Sequence, residues 1–170
     1  MEKIIIKTLG MIFLEHIAWA ATTWSLLFIF VPIERIKKIW VIGLVSLIWF
    51  FIVNYVFIQL GYFKYSHMIV SIGGVPLIHL IGSAAGGMLL LNWMTRDAIY
   101  KPLITAFFSG ILTLSDYLHV IYGGIIHSGK FTFLFDYVLN FAGLSALVWI
   151  CIALVGEEVI YQGNKTRFLK

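Results

Sequence analysis

The chain has 170 residues, of which 61% are hydrophobic and only 12% charged, with a mean hydropathy of +0.98 and a net charge of +4. A soluble domain of this length carries about twice that share of charge, so a single water-soluble core is excluded and the excess apolar surface must face lipid. The basic residues sit at the ends of hydrophobic stretches rather than in a dense run, which argues against a nucleic-acid surface, and a lone cysteine, Cys151, excludes a disulfide framework or a thiolate zinc site.

In chain order, the punctuation predicts an all-α integral membrane bundle of about five transmembrane helices, in one domain spanning residues 1–170. The first span, 8–31, ends at Pro32. Lys3 and Lys7 precede it, and Ala18-Trp19-Ala20 has the small-x-small form of a signal-peptidase site. Glu15 and His16 interrupt the apolar run, so an uncleaved helix is expected. The second span, 39–60, carries no charge and is broken only by Asn54 and Gln59. At 1.5 Å per residue it is long enough for a hydrocarbon core of about 30 Å.

Residues 61–74 follow, with Tyr62, Phe63, Tyr65 and His67, and then Met68-Ile69-Val70. This segment is too apolar for a plain exposed loop and reads as interfacial or re-entrant, with Gly73-Gly74 before Pro76. The third span, 75–94, contains Gly82 and Gly86 at small-xxx-small spacing, which lets a neighbouring helix approach closely, within this chain or in a second copy. The fourth, 103–122, follows Pro102 and stops at Gly123-Gly124. The fifth, 131–155, ends at Gly156 before Glu157-Glu158.

Eight of the twelve Lys and Arg residues (Arg35, Lys37, Lys38, Arg96, Lys101, Lys165, Arg167 and Lys170) lie in the first, third and last connections. Lys3, Lys7, Lys64 and Lys130 lie on the other side. The positive-inside rule therefore predicts a multi-pass protein of the cell membrane, N-terminus outside and C-terminus cytoplasmic.

A charged side chain near the bilayer centre costs about 2.5–3.5 kcal/mol on insertion scales, so ionisable residues within the spans are candidates for function. They are Glu15, His16, His79, Asp116, His119 and Asp136, with Asn54 and Asn140 as the strongest uncharged companions. Projected onto the topology, all of them fall in the outer half of the bundle. The inner half carries only small or apolar residues and an occasional Ser or Thr. Such clustering predicts a polar pocket that opens outward and is closed toward the cytoplasm. Asp116 and His119, three residues apart, share a helix face, as do Asp136 and Asn140.

Three chemistries fit this set. It binds a polar or cationic ligand, it relays protons, or it holds a metal through His16, His79, His119 and a carboxylate. No HExxH-like signature supports the metal, and ligand binding with no resident metal or cofactor is preferred. A purely structural alternative stands beside each, since interhelical polar contacts average about 0.6 kcal/mol. Phosphate loops, GxGxxG, GxSxG and CxxC are absent from the sequence. The Asn164-Lys165-Thr166 match falls on the predicted cytoplasmic side and is discounted as a glycosylation acceptor.

Three local features are similar to small multi-span membrane proteins of endospore-forming Gram-positive bacteria. They are Gly61-Tyr62-Phe63-Lys64-Tyr65 after a span, the proline-led Val75-Pro76-Leu77, and Asp116 followed by Gly123. The resemblance covers roughly Trp24 to Ile150 and implies a bacterial membrane bundle. In size the chain also resembles the substrate-capture subunits of vitamin transporters, which are bundles with an outward pocket but usually have six helices.

The function expected is binding of a small polar or amphiphilic ligand in an outward-facing intramembrane pocket, as a capture, transport or sensing subunit. The implied partners are the bilayer, the ligand, and another membrane subunit or a second copy, with no nucleic acid. The alternatives are an intramembrane lipid- or isoprenoid-modifying enzyme, using Asp116 and His119 as acid and base, and a structural subunit of a larger complex.

Overall fold

Prolines and glycines mark where the helices begin and end. Pro32 precedes α2 and Pro76 precedes α3, while Gly123 (φ 82°) and Gly156 (φ 91°) close α4 and α5 in backbone conformations that a side chain would oppose. The computed structural model describes residues 14–66, 68–129 and 131–161. Among them are six helices: α1 (Leu14–Phe30), α2 (Ile33–Gln59), α3 (Leu77–Trp93), α4 (Tyr100–Tyr122), α5 (Phe133–Val155) and the short α6 (Glu157–Tyr161). Side-chain acceptors lie at the start of two of them. Asp97 accepts from the backbone N–H of Ile99 and Tyr100 ahead of α4, and Thr132 accepts from Phe135 N–H at α5.

Three helices, α2, α4 and α5, are long and apolar enough to cross a membrane, and α3 is a shorter apolar helix. Large apolar side chains stand exposed on their outer faces, among them Trp40, Ile48, Phe107, Leu114, Trp149 and Leu154. A water-soluble monomer rarely displays so much, and these faces suggest a lipid bilayer as the environment.

The central element is α3, which packs against α1 on one side and α2 on the other, while α5 packs on α4 and α2. Both close approaches rest on glycine. A β-carbon at Gly82 would strike the Trp19 ring and the Ala20 backbone on α1, and one at Gly87 would strike Ser46 on α2. Gly86 has open space instead. The small-residue stretch therefore seats two helices of the same chain, through Gly82 and Gly87 rather than Gly82 and Gly86. The main apolar core lies where these helices meet and includes Leu27, Ile39, Ile42, Leu90, Leu91 and Leu147.

Helix α2 begins earlier than 39, so Arg35, Lys37 and Lys38, expected in a loop, belong to its first turns. Arg35 is buried there. Its Nη1 and Nη2 donate to the Val159 and Ile160 carbonyls of α6 at 2.5 and 2.9 Å, and its Nε donates to Asn92 Oδ1 at 3.3 Å. The guanidinium thus satisfies carbonyls at a helix C-terminus, where positive charge is favoured. Asn92 is fully buried as well. This end of the bundle therefore contains buried polar groups, contrary to the expected apolar inner half. The expectation failed because Arg35 was read as solvated and Asn92 was not weighed.

The opposite end carries four short strands. β1 (Phe63–Tyr65) pairs antiparallel with β4 (Ile125–His127), Lys64 opposite Ile126, and β2 (Ser71–Ile72) pairs with β3 (Val75–Pro76). Gly73 and Gly74, both at positive φ, form the two-residue turn of the second pair, as a tight hairpin requires. The segment expected to be interfacial or re-entrant is, over the residues described, β structure laid across the end of the bundle. Residues 8–13 of the expected first span lie outside the described residues. So do His67, Lys130, the basic residues Lys3, Lys7, Lys165, Arg167 and Lys170, and Asn164-Lys165-Thr166.

Candidate functional site

The eight polar residues singled out in the sequence lie toward the strand-capped end, as two constellations and one outlier, Glu15. The first is a histidine cluster. His16 comes from the start of α1, His79 from the first turn of α3, and His119 from the last turn of α4. All three are buried. His16 Nδ1 lies 3.1 Å from His79 Nε2, and His79 Nε2 lies 3.3 Å from His119 Nε2. One ring nitrogen from each residue falls within 4.8 Å of the other two.

Backbone carbonyls support two of the rings. His16 Nε2 faces Ser66 O at 3.3 Å, and His119 Nδ1 faces Ser115 O at 2.8 Å. A carbonyl only accepts, so each of those nitrogens carries the ring proton, and in neutral rings His16 Nδ1 and His119 Nε2 act as acceptors. Tyr65 closes one side, its ring edge-on to His79. Its hydroxyl donates to Asn54 Oδ1 at 2.8 Å, while Asn54 Nδ2 donates to Phe50 O on its own helix. Burial, with Asp116 and then Asp136 nearby, pushes the Tyr65 phenol well above its ordinary range, so it remains a neutral donor. Asn54 therefore belongs to this cluster through Tyr65 rather than by direct contact.

The second constellation lines a cavity of about 80 Å³ between α2, α4 and α5, roofed by β1 and β4. At about 30 Å³ per water in the liquid, it holds roughly two or three waters or a small organic group. Asp116, Asp136 and Asn140 supply its polar wall, and Trp49, Phe57 and Phe131 are among its aromatic lining. Asp136 is buried. Its Oδ1 accepts from Asn140 Nδ2 at 3.3 Å, and Asn140 Nδ2 also reaches Thr113 Oγ1 at 3.1 Å. Asp136 Oδ2 is buried with no hydrogen-bond partner among the described residues.

No family model, curated protein or solved structure matches this chain. The site must be read from its own chemistry.

Asp116 and His119, paired in the sequence by their spacing, serve different constellations. His119 joins the histidines, whereas Asp116 faces the cavity with Asp136 and Asn140. The two constellations adjoin, since His79, Tyr65, Asn54 and Ser115 also border the cavity. Glu15 is placed elsewhere. It is half-buried against Gly124, where any β-carbon would collide with its carboxylate. Its Oε1 has no hydrogen-bond partner among the described residues.

Sequence reasoning passed over Tyr65, Ser66 and Thr113. Tyr65 and Ser66 sit in the segment between spans, and only the pairing of β1 with β4 brings that segment over the histidines. Ser66 N–H donates to Gly124 O at 2.9 Å, and its hydroxyl donates to Gly123 O. The one available signal was the apolar character of that segment, which marked it as packed but not against what. His127, on β4, packs its ring at a tilt against Phe131, and burial holds its imidazole below the ordinary value and so neutral.

Proposed function

We propose that the protein is a multi-pass membrane protein that takes a small, positively charged polar or amphiphilic ligand into the cavity walled by Asp116, Asp136 and Asn140. It acts as a capture, transport or sensing subunit. The observation that carries this reading is a pair of carboxylates in a small cavity whose other walls are largely aromatic. An ammonium group suits both surfaces, since carboxylates pair with its charge and aromatic faces attract it through their quadrupoles. The unpartnered Asp136 oxygen supports the same reading, because a buried acceptor without a donor is costly and a bound cation would satisfy it.

In the full topology of this reading, α1 and α3 complete five spans, with the N-terminus outside and the C-terminus in the cytoplasm of a bacterial cell. The cavity then opens on the outer side, and the Arg35 end closes the cytoplasmic side. The acid–base enzyme alternative loses support, since Asp116 and His119 serve different constellations.

The test is a thermal-stability titration of the purified protein with ethylammonium and tetramethylammonium chlorides, with sodium chloride as control. The expected result is a midpoint that rises with ammonium concentration in the unaltered protein, as binding to the folded state requires. In Asp116→Asn and Asp136→Asn the apparent affinity falls by more than about tenfold. A rise matched by sodium chloride, or undiminished in both variants, overturns the reading. For orientation, single cysteines placed around the cavity in a Cys151→Ala background are expected to label from outside; labelling only from the cytoplasm reverses the topology.

A further inference from the structure

We propose that His16, His79 and His119 form a binding site for a divalent transition-metal ion, held through one imidazole nitrogen from each. This goes beyond the ligand reading and rests on the three imidazoles rather than on Asp116, Asp136 and Asn140, so it is tested separately although His79 also borders that cavity.

The argument begins with proton counting. Ser66 O and Ser115 O fix the ring protons of His16 and His119 on the nitrogens that face them. The nitrogens turned inward, His16 Nδ1 and His119 Nε2, each present a lone pair to His79 Nε2. A neutral His79 has a single ring proton. If it sits on Nε2, it is shared between two acceptors and the buried Nδ1 lone pair is left over. If it sits on Nδ1, three lone pairs confront one another. His79 Nδ1 is buried without a hydrogen-bond partner among the described residues, and His79 is only 3% exposed. No neutral arrangement of the three rings is complete by itself. A cation at the centre converts the opposing lone pairs into three bonds.

The geometry agrees. For metal–nitrogen bonds near 2.0–2.1 Å, tetrahedral ligation places donor atoms about 3.3 Å apart. The two short separations here are 3.1 and 3.3 Å, and the third pair lies within 4.8 Å, closable by ring rotation. The rings come from three different helices, so the site is built by tertiary packing rather than by one local motif. Carbonyls that hold the distal N–H of two rings are the outer support that metal-bound histidines ordinarily have. His16 also borders a second, apolar cavity of about 190 Å³ beneath the β2–β3 hairpin, which provides an approach. An all-imidazole set selects zinc, copper, nickel, cobalt or iron over magnesium or calcium, which prefer oxygen. Three protein ligands leave a fourth position for water or a substrate atom.

The competing account is that the imidazoles are hydrogen-bonded glue between helices. Cobalt(II) separates the two, because four-coordinate Co²⁺ has intense visible bands that a hydrogen-bonded cluster cannot produce. The full chain, purified in detergent and stripped with chelator, is titrated with CoCl₂. The expected result is one Co²⁺ per chain with four-coordinate bands, displaced by an equivalent of Zn²⁺. His16→Ala, His79→Ala and His119→Ala should each weaken binding beyond the roughly 10–100-fold that loss of a supporting group costs. Cys151→Ala should leave the bands unchanged. Where an alanine variant loses its helical circular dichroism, the glutamine variant at that position replaces it, since it retains a hydrogen-bonding group but not imidazole ligation. Substoichiometric Co²⁺ binding by the unaltered protein, or bands that persist in the histidine variants, overturns the site. The cobalt bands read the imidazoles and the ammonium titration reads the carboxylates, so each proposal fails visibly without the other.

Discussion

At one end of the bundle, Arg35 is buried with its guanidinium matched to the Val159 and Ile160 carbonyls and to Asn92 Oδ1. At the other, His79 Nδ1, Asp136 Oδ2 and Glu15 Oε1 are buried without partners among the described residues. Both ends carry the desolvation cost of polar groups; at the first the guanidinium recovers it, although Asn92 Nδ2, Trp93 Nε1, Thr95 Oγ1 and the Tyr161 hydroxyl are also buried there without partners among the described residues. A buried charge whose donors are matched behaves as a staple for the segment it holds. The open acceptors of His79 and Asp136, beside a cavity and two further imidazoles, have the character of a site. What distinguishes the two ends is the chemistry left open: amide, indole and hydroxyl groups beside a matched guanidinium at one, carboxylate and imidazole acceptors at the other.

The contrast can be broken most directly at the staple. Arg35→Met removes donors to two helix-end carbonyls and strands Asn92, and is expected to lower stability by about 3 kcal/mol, read as a loss of thermal midpoint in detergent. An unchanged midpoint would show that this end is held by apolar packing alone. Between the ends, Gly87→Ala pushes a methyl group into Ser46. A cost of about 2 kcal/mol is expected, with recovery when Ser46→Gly is added, as relief of overpacking requires. The smallest effect belongs to the site. Asp136→Asn keeps an oxygen for Asn140 and removes a partly unmatched charge, so stability should stay level or rise by about 1 kcal/mol. A marked drop there would make the site end a staple too, and erase the difference.

Much of this was legible in the sequence. Pro32, Pro76, Gly123 and Gly156 marked the helix boundaries because each restricts or frees the backbone in a way no neighbour can override. The eight polar residues were identifiable because charge and imidazole are costly among apolar side chains. Their partition was not. Asp116 and His119 share a helix face by spacing, yet a shared face spans enough arc for one side chain to meet α1 and α3 while the other meets α5. The strands were unreadable for a different reason. Two or three residues are too few for a period to emerge, and β1 finds β4 across two intervening helices. Arg35 was missed because α6, whose carbonyls it holds, is a five-residue helix with no periodic signature.

The pairing of Lys64 with Ile126 has a consequence for biogenesis. The ribosome delivers the chain N-terminus first, so His16, Tyr65 and His79 emerge well before their partners. The roof over the imidazoles forms only when β4 returns to β1, after α4 has brought in His119. A chain interrupted before residue 125 still has apolar helices to place in a bilayer, but it lacks the strand that pairs with β1 beside the histidines. Placing the apolar helices and completing the strand roof are thus separable steps, and the second waits for β4.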